Sequence, residues 1–189
     1  MATHHCKITA AYQEIPEETQ TTTTRPHAPK IIDRTIPWAY FDGATQTHGC
    51  GGGSLLYLFD QHHYQIKMGL GERTNNFAEL ITLRHLFHFA LAHSCNNIQI
   101  FGDSKIIINW FNNINNCHAH TLRNILDEIV VFKAQFNSII CHHIYKEHNE
   151  AANKLSKAVL TQLRGLWMIQ EQHGAEQYQY YHQPYIDKA

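Results

Sequence analysis

Ile98-Gln99-Ile100-Phe101-Gly102-Asp103-Ser104 is a short, mostly apolar run that stops on a glycine and an acid where a helix begins. It reads as a strand followed by a short helix from Ser104 to about Phe111. The same ending occurs upstream. Trp38, Tyr40 and Asp42 alternate with Ala39 and Phe41 and run into Gly43. Between these strands lie a Gly-rich turn at 49–53 and a second apolar strand, Leu55 to Phe59. A turn at Asp60-Gln61-His62 leads to a third strand, in which Tyr64, Ile66, Met68 and Leu70 alternate with polar residues. These three strands are expected to form an antiparallel meander. A helix from about Asn76 carries Leu80, Leu83, Leu86, Phe87, Ala90 and Leu91 on a broad apolar face. After the 112–116 loop, Leu122, Ile125, Leu126, Ile129, Phe132 and Phe136 mark another helix. Ile139 to Tyr145 is a fifth strand, and a last helix runs from about Asn149 past Leu160. The order βββαβααβα predicts an α/β domain with a mixed sheet.

Three acids stand out on this pattern. Asp42 ends the first strand and Asp103 the fourth. If these strands are parallel neighbours, their carboxyl ends meet at the edge where open α/β sheets place their sites. Glu79 begins the apolar stripe of its helix, so it faces the sheet rather than water. Each acid also has a plain structural reading. Asn76-Phe77-Ala78-Glu79 fits a capping box, Asp103-Ser104 a helix cap, and Asp42-Gly43 a turn. Together, in this order, they point to a site. Convergent carboxylates repel one another, and hard divalent ions with oxygen ligands remove that repulsion. Two such ions about 4 Å apart can stabilise both the attacking and the leaving oxygen of a phosphodiester.

The 189 residues suit one domain with an added segment. A hydrophobic fraction of 43 % provides a core, while a net charge of −1 excludes a histone-like polycation. Residues 1–35, with Thr21–Thr24, Pro26 and Pro29, read as a weakly structured N-terminal extension. The domain spans 36–163, and 164–189 is a C-terminal extension rich in Tyr and Gln, without an assigned structure. Five cysteines without a paired spacing argue for reduced, buried thiols. The chain begins without the apolar run of a signal peptide and has no 18-residue apolar stretch. The expectation is an intracellular protein, not secreted and not in a membrane.

The blocks Phe41-Asp42-Gly43-Ala44, Gly51-Gly52-Gly53, Thr74-Asn75-Asn76-Phe77-Ala78-Glu79-Leu80, Phe101-Gly102-Asp103-Ser104-Lys105 and Asn149-Glu150-Ala151-Ala152-Asn153-Lys154-Leu155-Ser156-Lys157-Ala158 resemble the ribonuclease H family. The resemblance covers about 36–160 and is strongest to the plant-type domains of retroelement polyproteins and their relics. It implies a ribonuclease H-like fold whose five-stranded mixed sheet, three antiparallel strands then two parallel, is flanked by helices. It implies endonucleolytic hydrolysis of the RNA strand of an RNA–DNA hybrid with two Mg²⁺ or Mn²⁺ ions, leaving a 3′-hydroxyl and a 5′-phosphate. Asp42, Glu79 and Asp103 match three of the four metal-binding carboxylates, Asp42 touching both ions. Thr74, Asn75 and Asn76 match the segment that holds phosphate and reads the minor groove, and backbone near Gly43 would contact the RNA. The implied protein acts as a monomer and belongs to, or derives from, a reverse transcriptase-associated polyprotein.

This sequence departs from the pattern at the fourth carboxylate, where Asn153 stands. Asn keeps a carbonyl ligand but loses the charge. Glu150, three positions earlier, is a substitute only if the helix shifts. One minor-groove Asn and the family's basic protrusion are missing, so hybrid binding is expected to be modest and salt-sensitive. His148 falls near the family's proton-transfer His, with Lys146 beside it; a solvated loop His is the plain alternative. Lys105 is a candidate phosphate contact and Trp110 a candidate stacking surface, against a solvated Lys and a core Trp. The rival readings are a relic that only binds nucleic acid, with Asn153 as the discriminating residue, and a junction resolvase, exonuclease or transposase on the same architecture.

Overall fold

The computed structural model describes residues 30–182. Residues 1–29, most of the expected N-terminal extension, lie outside the described residues, as do 183–189. The strands are β1 (Trp38–Gln46), β2 (Gly49–Phe59), β3 (His62–Gly71), β4 (Asn97–Gly102), β5 (Ser138–His143), β6 (Trp167–His173) and β7 (Glu176–His182). The helices are α1 (Asn75–Ala92), α2 (Lys105–Phe111), α3 (His120–Lys133) and α4 (Glu150–Lys157), with a 3₁₀ turn at Lys146–His148.

All seven strands form one sheet in the order β5-β4-β1-β2-β3-β6-β7. The meander and the parallel pairs β1·β4 and β4·β5 are as the sequence predicts. The count of five strands is not. Trp167 and Ile169 are buried, which docks β6 antiparallel on β3, and β7 follows as a hairpin partner. The last helix also stops earlier than predicted, at Lys157, and 158–161 form turns. Among the described residues no helix is long and apolar enough to cross a membrane.

Why α1 forms and where it lies follow from its residues. Thr74 Oγ1 accepts a hydrogen bond from Phe77 N at 3.3 Å and caps the first turn. Leu80, Leu83, Leu86, Phe87 and Ala90 are all buried, because α1 has the sheet on one side and α3 on the other. The core they share with Phe41, Leu56, Ile98, Ile100 and Ile129 fixes α1 against β1. On the opposite face, α4 covers β1 and β2, while Trp38, Phe101 and Ile144 form a smaller cluster with Tyr40 and Tyr57. Cys50, Cys95, Cys117 and Cys141 are buried free thiols, in line with the reduced reading.

Candidate active site

The register of β1 explains how the acids meet. Parallel pairing with β4 ends at Phe41↔Gly102, so Asp42 and Asp103 are each the first residue beyond the paired stretch. Asp42 does not end its strand, as the sequence suggested. Antiparallel pairing with β2 carries β1 on to Gln46↔Gly49. Gly43, one residue on, faces α1. A Cβ there would lie 2.3 Å from Glu79 N, so only glycine lets the helix approach this closely. Glu79 sits in the second turn of α1 rather than closing its N-terminus. The capping-box reading therefore gives way, and Thr74 is the cap. Gly43→Ala should push α1 away from β1. We expect a loss of about 1–3 kcal/mol by overpacking, measured by urea denaturation. Wild-type stability would show that the approach is not tight.

The result is a cleft lined by Asp42, Gly43, Asn75, Glu79, Asp103, Ser104, Lys146, Asn153 and Lys157, among others, with a volume of about 310 Å³. Asp42, Glu79 and Asp103 each offer a carboxylate oxygen within 4.8 Å of the others. Asp42 and Glu79 are buried, and Glu79 Oε2 has no hydrogen-bond partner. Burial pushes the Asp42 carboxyl up to about 6; the Ser156 hydroxyl and the Lys146 charge oppose this, and Asp103 adds to it. Burial, with the charges of Asp42 and Asp103, raises Glu79 well above the ordinary carboxylate range, against a hydrogen bond from the Gly43 backbone. A dense, partly unpartnered set of oxygen donors fits a hard divalent cation, which would relieve both the repulsion and the desolvation.

Two residues that the sequence did not single out hold these acids in place. Ser156 Oγ donates to Asp42 Oδ2. Asn149 Nδ2 donates to Phe41 O at 2.9 Å and to Asp103 Oδ1 at 3.1 Å, tying β1 to the end of β4. Ser156 is three residues after Asn153, a helical spacing visible in the sequence, but the partner across the sheet is not. Lys157 has the same kind of signal, lying four residues after Asn153.

Of the other expected residues, Asn75 and Asn153 line the cleft with the acids. Thr74 caps α1 and borders an apolar groove instead. Asn76, Lys105 and His148 do not line the cleft. Lys105 is exposed on α2, and His148 is half-buried in the 3₁₀ turn. Glu150 pairs with Lys154 at 3.8 Å and is likewise not among the lining residues. Trp110 packs against the core.

Comparison with known proteins bears on the family and the fold. A family model described as reverse transcriptase-like matches residues 44–159, more than half of the chain. An Enterococcus faecalis protein, EbsB, provisionally named a hydrolase, is 27 % identical over 124 residues, covering 64 % of this chain and 91 % of that protein. Ribonuclease H1 of Halobacterium salinarum superposes with a TM-score of 0.62 at 23 % identity, covering 66 % of this chain and 96 % of its own. The N-terminal ribonuclease H domain of a Mycobacterium tuberculosis protein gives 0.61 at 17 % identity, covering 66 % and 98 %. A ribonuclease H1 from a compost metagenome, solved with an RNA/DNA hybrid, gives 0.61 at 19 % identity, covering 66 % and 96 %. The chain thus belongs to the ribonuclease H family, in its reverse transcriptase-like branch.

Proposed function

We propose that the chain cuts the RNA strand of RNA–DNA hybrids in the cleft of Asp42, Glu79 and Asp103, with Mg²⁺ or Mn²⁺. The carrying observation is the three carboxylates at the end of the β1·β4 pair, two of them buried and one with an unpartnered oxygen. When bound, the metal supplies an activated water and a Lewis acid towards the phosphate. The rest falls to the chain. Asp42, Glu79 and Asp103 hold the cation, and Asn153 offers a neutral carbonyl oxygen beside them. Ser156 orients Asp42, and Asn149 orients Asp103. Asn75 at the cleft, with Thr74 and Asn76 beside it, supports contact with the sugar–phosphate edge, where 2′-hydroxyls distinguish RNA from DNA. Family membership supports a retroelement origin.

The test is cleavage of a labelled RNA–DNA hybrid beside double-stranded DNA and double-stranded RNA, in Mg²⁺, in Mn²⁺ and in EDTA. Metal-dependent cutting of the hybrid alone is the expected result. Cutting of the DNA duplex instead would overturn the substrate assignment. A second reading, a relic that binds hybrid without turnover, is favoured by Asn153, since the cleft lacks a fourth charge. Asn153→Asp separates the two. It should raise hybrid cleavage on the order of tenfold and lower the metal concentration needed. An unchanged rate and metal demand would mean that Asn153 lies outside the reacting geometry.

A further inference from the structure

The cleft carries cations as well as acids, and the two are sorted by element. Glu79 comes from α1 on one face of the sheet. Lys146, Asn153 and Lys157 come from the 3₁₀ turn and α4 on the other. Asn153 and Lys157 are four residues apart and share one face of α4. Lys146 reaches the same cleft from the turn that leads into the helix. Asp42 and Asp103, from the end of the β1·β4 pair, complete the anionic set with Glu79, each also tied by a hydrogen bond to the α4 side through Ser156 and Asn149 respectively. The turn and α4 add a neutral amide and two ammonium groups to the lining.

A second divalent ion on the α4 side would gain no carboxylate beyond the three already shared, and would meet two like charges. Glu150, the remaining acid of α4, does not line the cleft and pairs with Lys154 at 3.8 Å. An exposed pair of this kind is weak, but Glu150 still leaves the cleft without a fourth negative charge. A phosphate in that place would instead be welcome. It brings the missing negative charge, and lysine ammonium groups suit it as mobile point charges with several donors.

We infer that the cleft works with one divalent ion, held by Asp42, Glu79 and Asp103, and that Lys146 and Lys157 receive the scissile phosphate on the Asn153 side. This rests on the phosphodiester reading above and replaces the two-ion expectation. The lysines neutralise charge on the non-bridging oxygens and transfer no group.

The experiment has two arms on the full chain, neither reading turnover. In the first, Mn²⁺ binding is counted by electron paramagnetic resonance up to millimolar concentration. The natural chain should bind one ion, lost in Asp103→Asn. The double variant Lys146→Gln/Lys157→Gln should admit a second. In the second arm, hybrid binding is measured in EDTA over a range of salt. The double variant should bind on the order of tenfold more weakly, with the slope of log affinity against log salt reduced by about one per lysine. Both lysines are exposed, so the fold should survive, as circular dichroism would check. Two ions on the natural chain would overturn the inference. So would a double variant with one ion and an unchanged salt slope. One ion and an altered slope, beside no cutting of hybrid, would sink the hydrolase reading and leave this one standing. No bound ion and no bound hybrid would remove both.

Discussion

Asp103→Asn is expected to lower hybrid cleavage roughly 1000-fold or more, since groups that act as one catalytic unit fail together when a member is lost. The substitution is close to a pure change of charge. Asp103 Oδ1 accepts from Asn149 Nδ2, and the carbonyl oxygen of an Asn can accept the same bond. The link from β1 to the end of β4 is then kept, and the Asn149 bond to Phe41 O is untouched. Binding of the hybrid in EDTA should be retained or slightly stronger, because one anion facing the phosphates is gone. Cleavage kinetics and hybrid binding on the same preparation check this, with circular dichroism for the fold. Cleavage within a few-fold of the natural chain would mean that the acids are structural and that the reaction happens elsewhere.

The acids were legible because each is an anomaly in a regular pattern. Asp42 and Asp103 follow apolar alternating runs and Glu79 occupies an apolar stripe; singly each has a plain structural reading, and only the three together, in this element order, point to a site. Their convergence rests on parallel pairing of β1 with β4, which the residue pattern leaves as a condition and the family resemblance supplies. The supports were not legible. Asn149 looks like a helix start and Ser156 like a small helical residue, and their partners lie 46 and 114 residues away. The missed hairpin has a physical cause too. Every residue of β7 is exposed, so the segment carries no inside–outside alternation, and the anchor is the burial of Trp167 and Ile169 on β6. The last helix ends at Lys157, short of the expected run past Leu160. Val159 and Leu160 instead close a turn against the glycines of β2, where Val159 Cγ2 and Leu160 O approach Gly51 and Gly49. Lys146 and Lys157 become informative only beside Asn153 in one cleft.

The second large effect is on stability, and it runs opposite to activity. Asp42 titrates near 6 in the folded chain, above the ordinary value near 3.8. The native state therefore binds the proton more tightly than the unfolded chain does. Its contribution is most favourable below pH 4, declines as pH rises towards 6, and stays unfavourable above that. Once partial solvation is discounted, this corresponds to about 2 kcal/mol. Glu79, held well above the ordinary carboxylate range by burial, acts in the same direction. Asp42→Asn removes this cost and keeps an acceptor for Ser156 Oγ. In EDTA at pH 8, the variant should melt roughly 4–8 °C above the natural chain, and the gap should close at pH 4. His85 works the other way. Burial pushes it down to about 3, so it withdraws stability as pH falls through 6.5, which is why the difference between the two chains is the quantity to measure. Millimolar Mg²⁺ should raise the melting temperature of the natural chain at pH 8, where the carboxylates are ionised. It should do so much less at pH 4, where protons compete for them, and less in the variant. A natural chain as stable as Asp42→Asn at pH 8, with or without metal, would mean that the cleft is already relaxed by water and carries no stored repulsion for an ion to relieve.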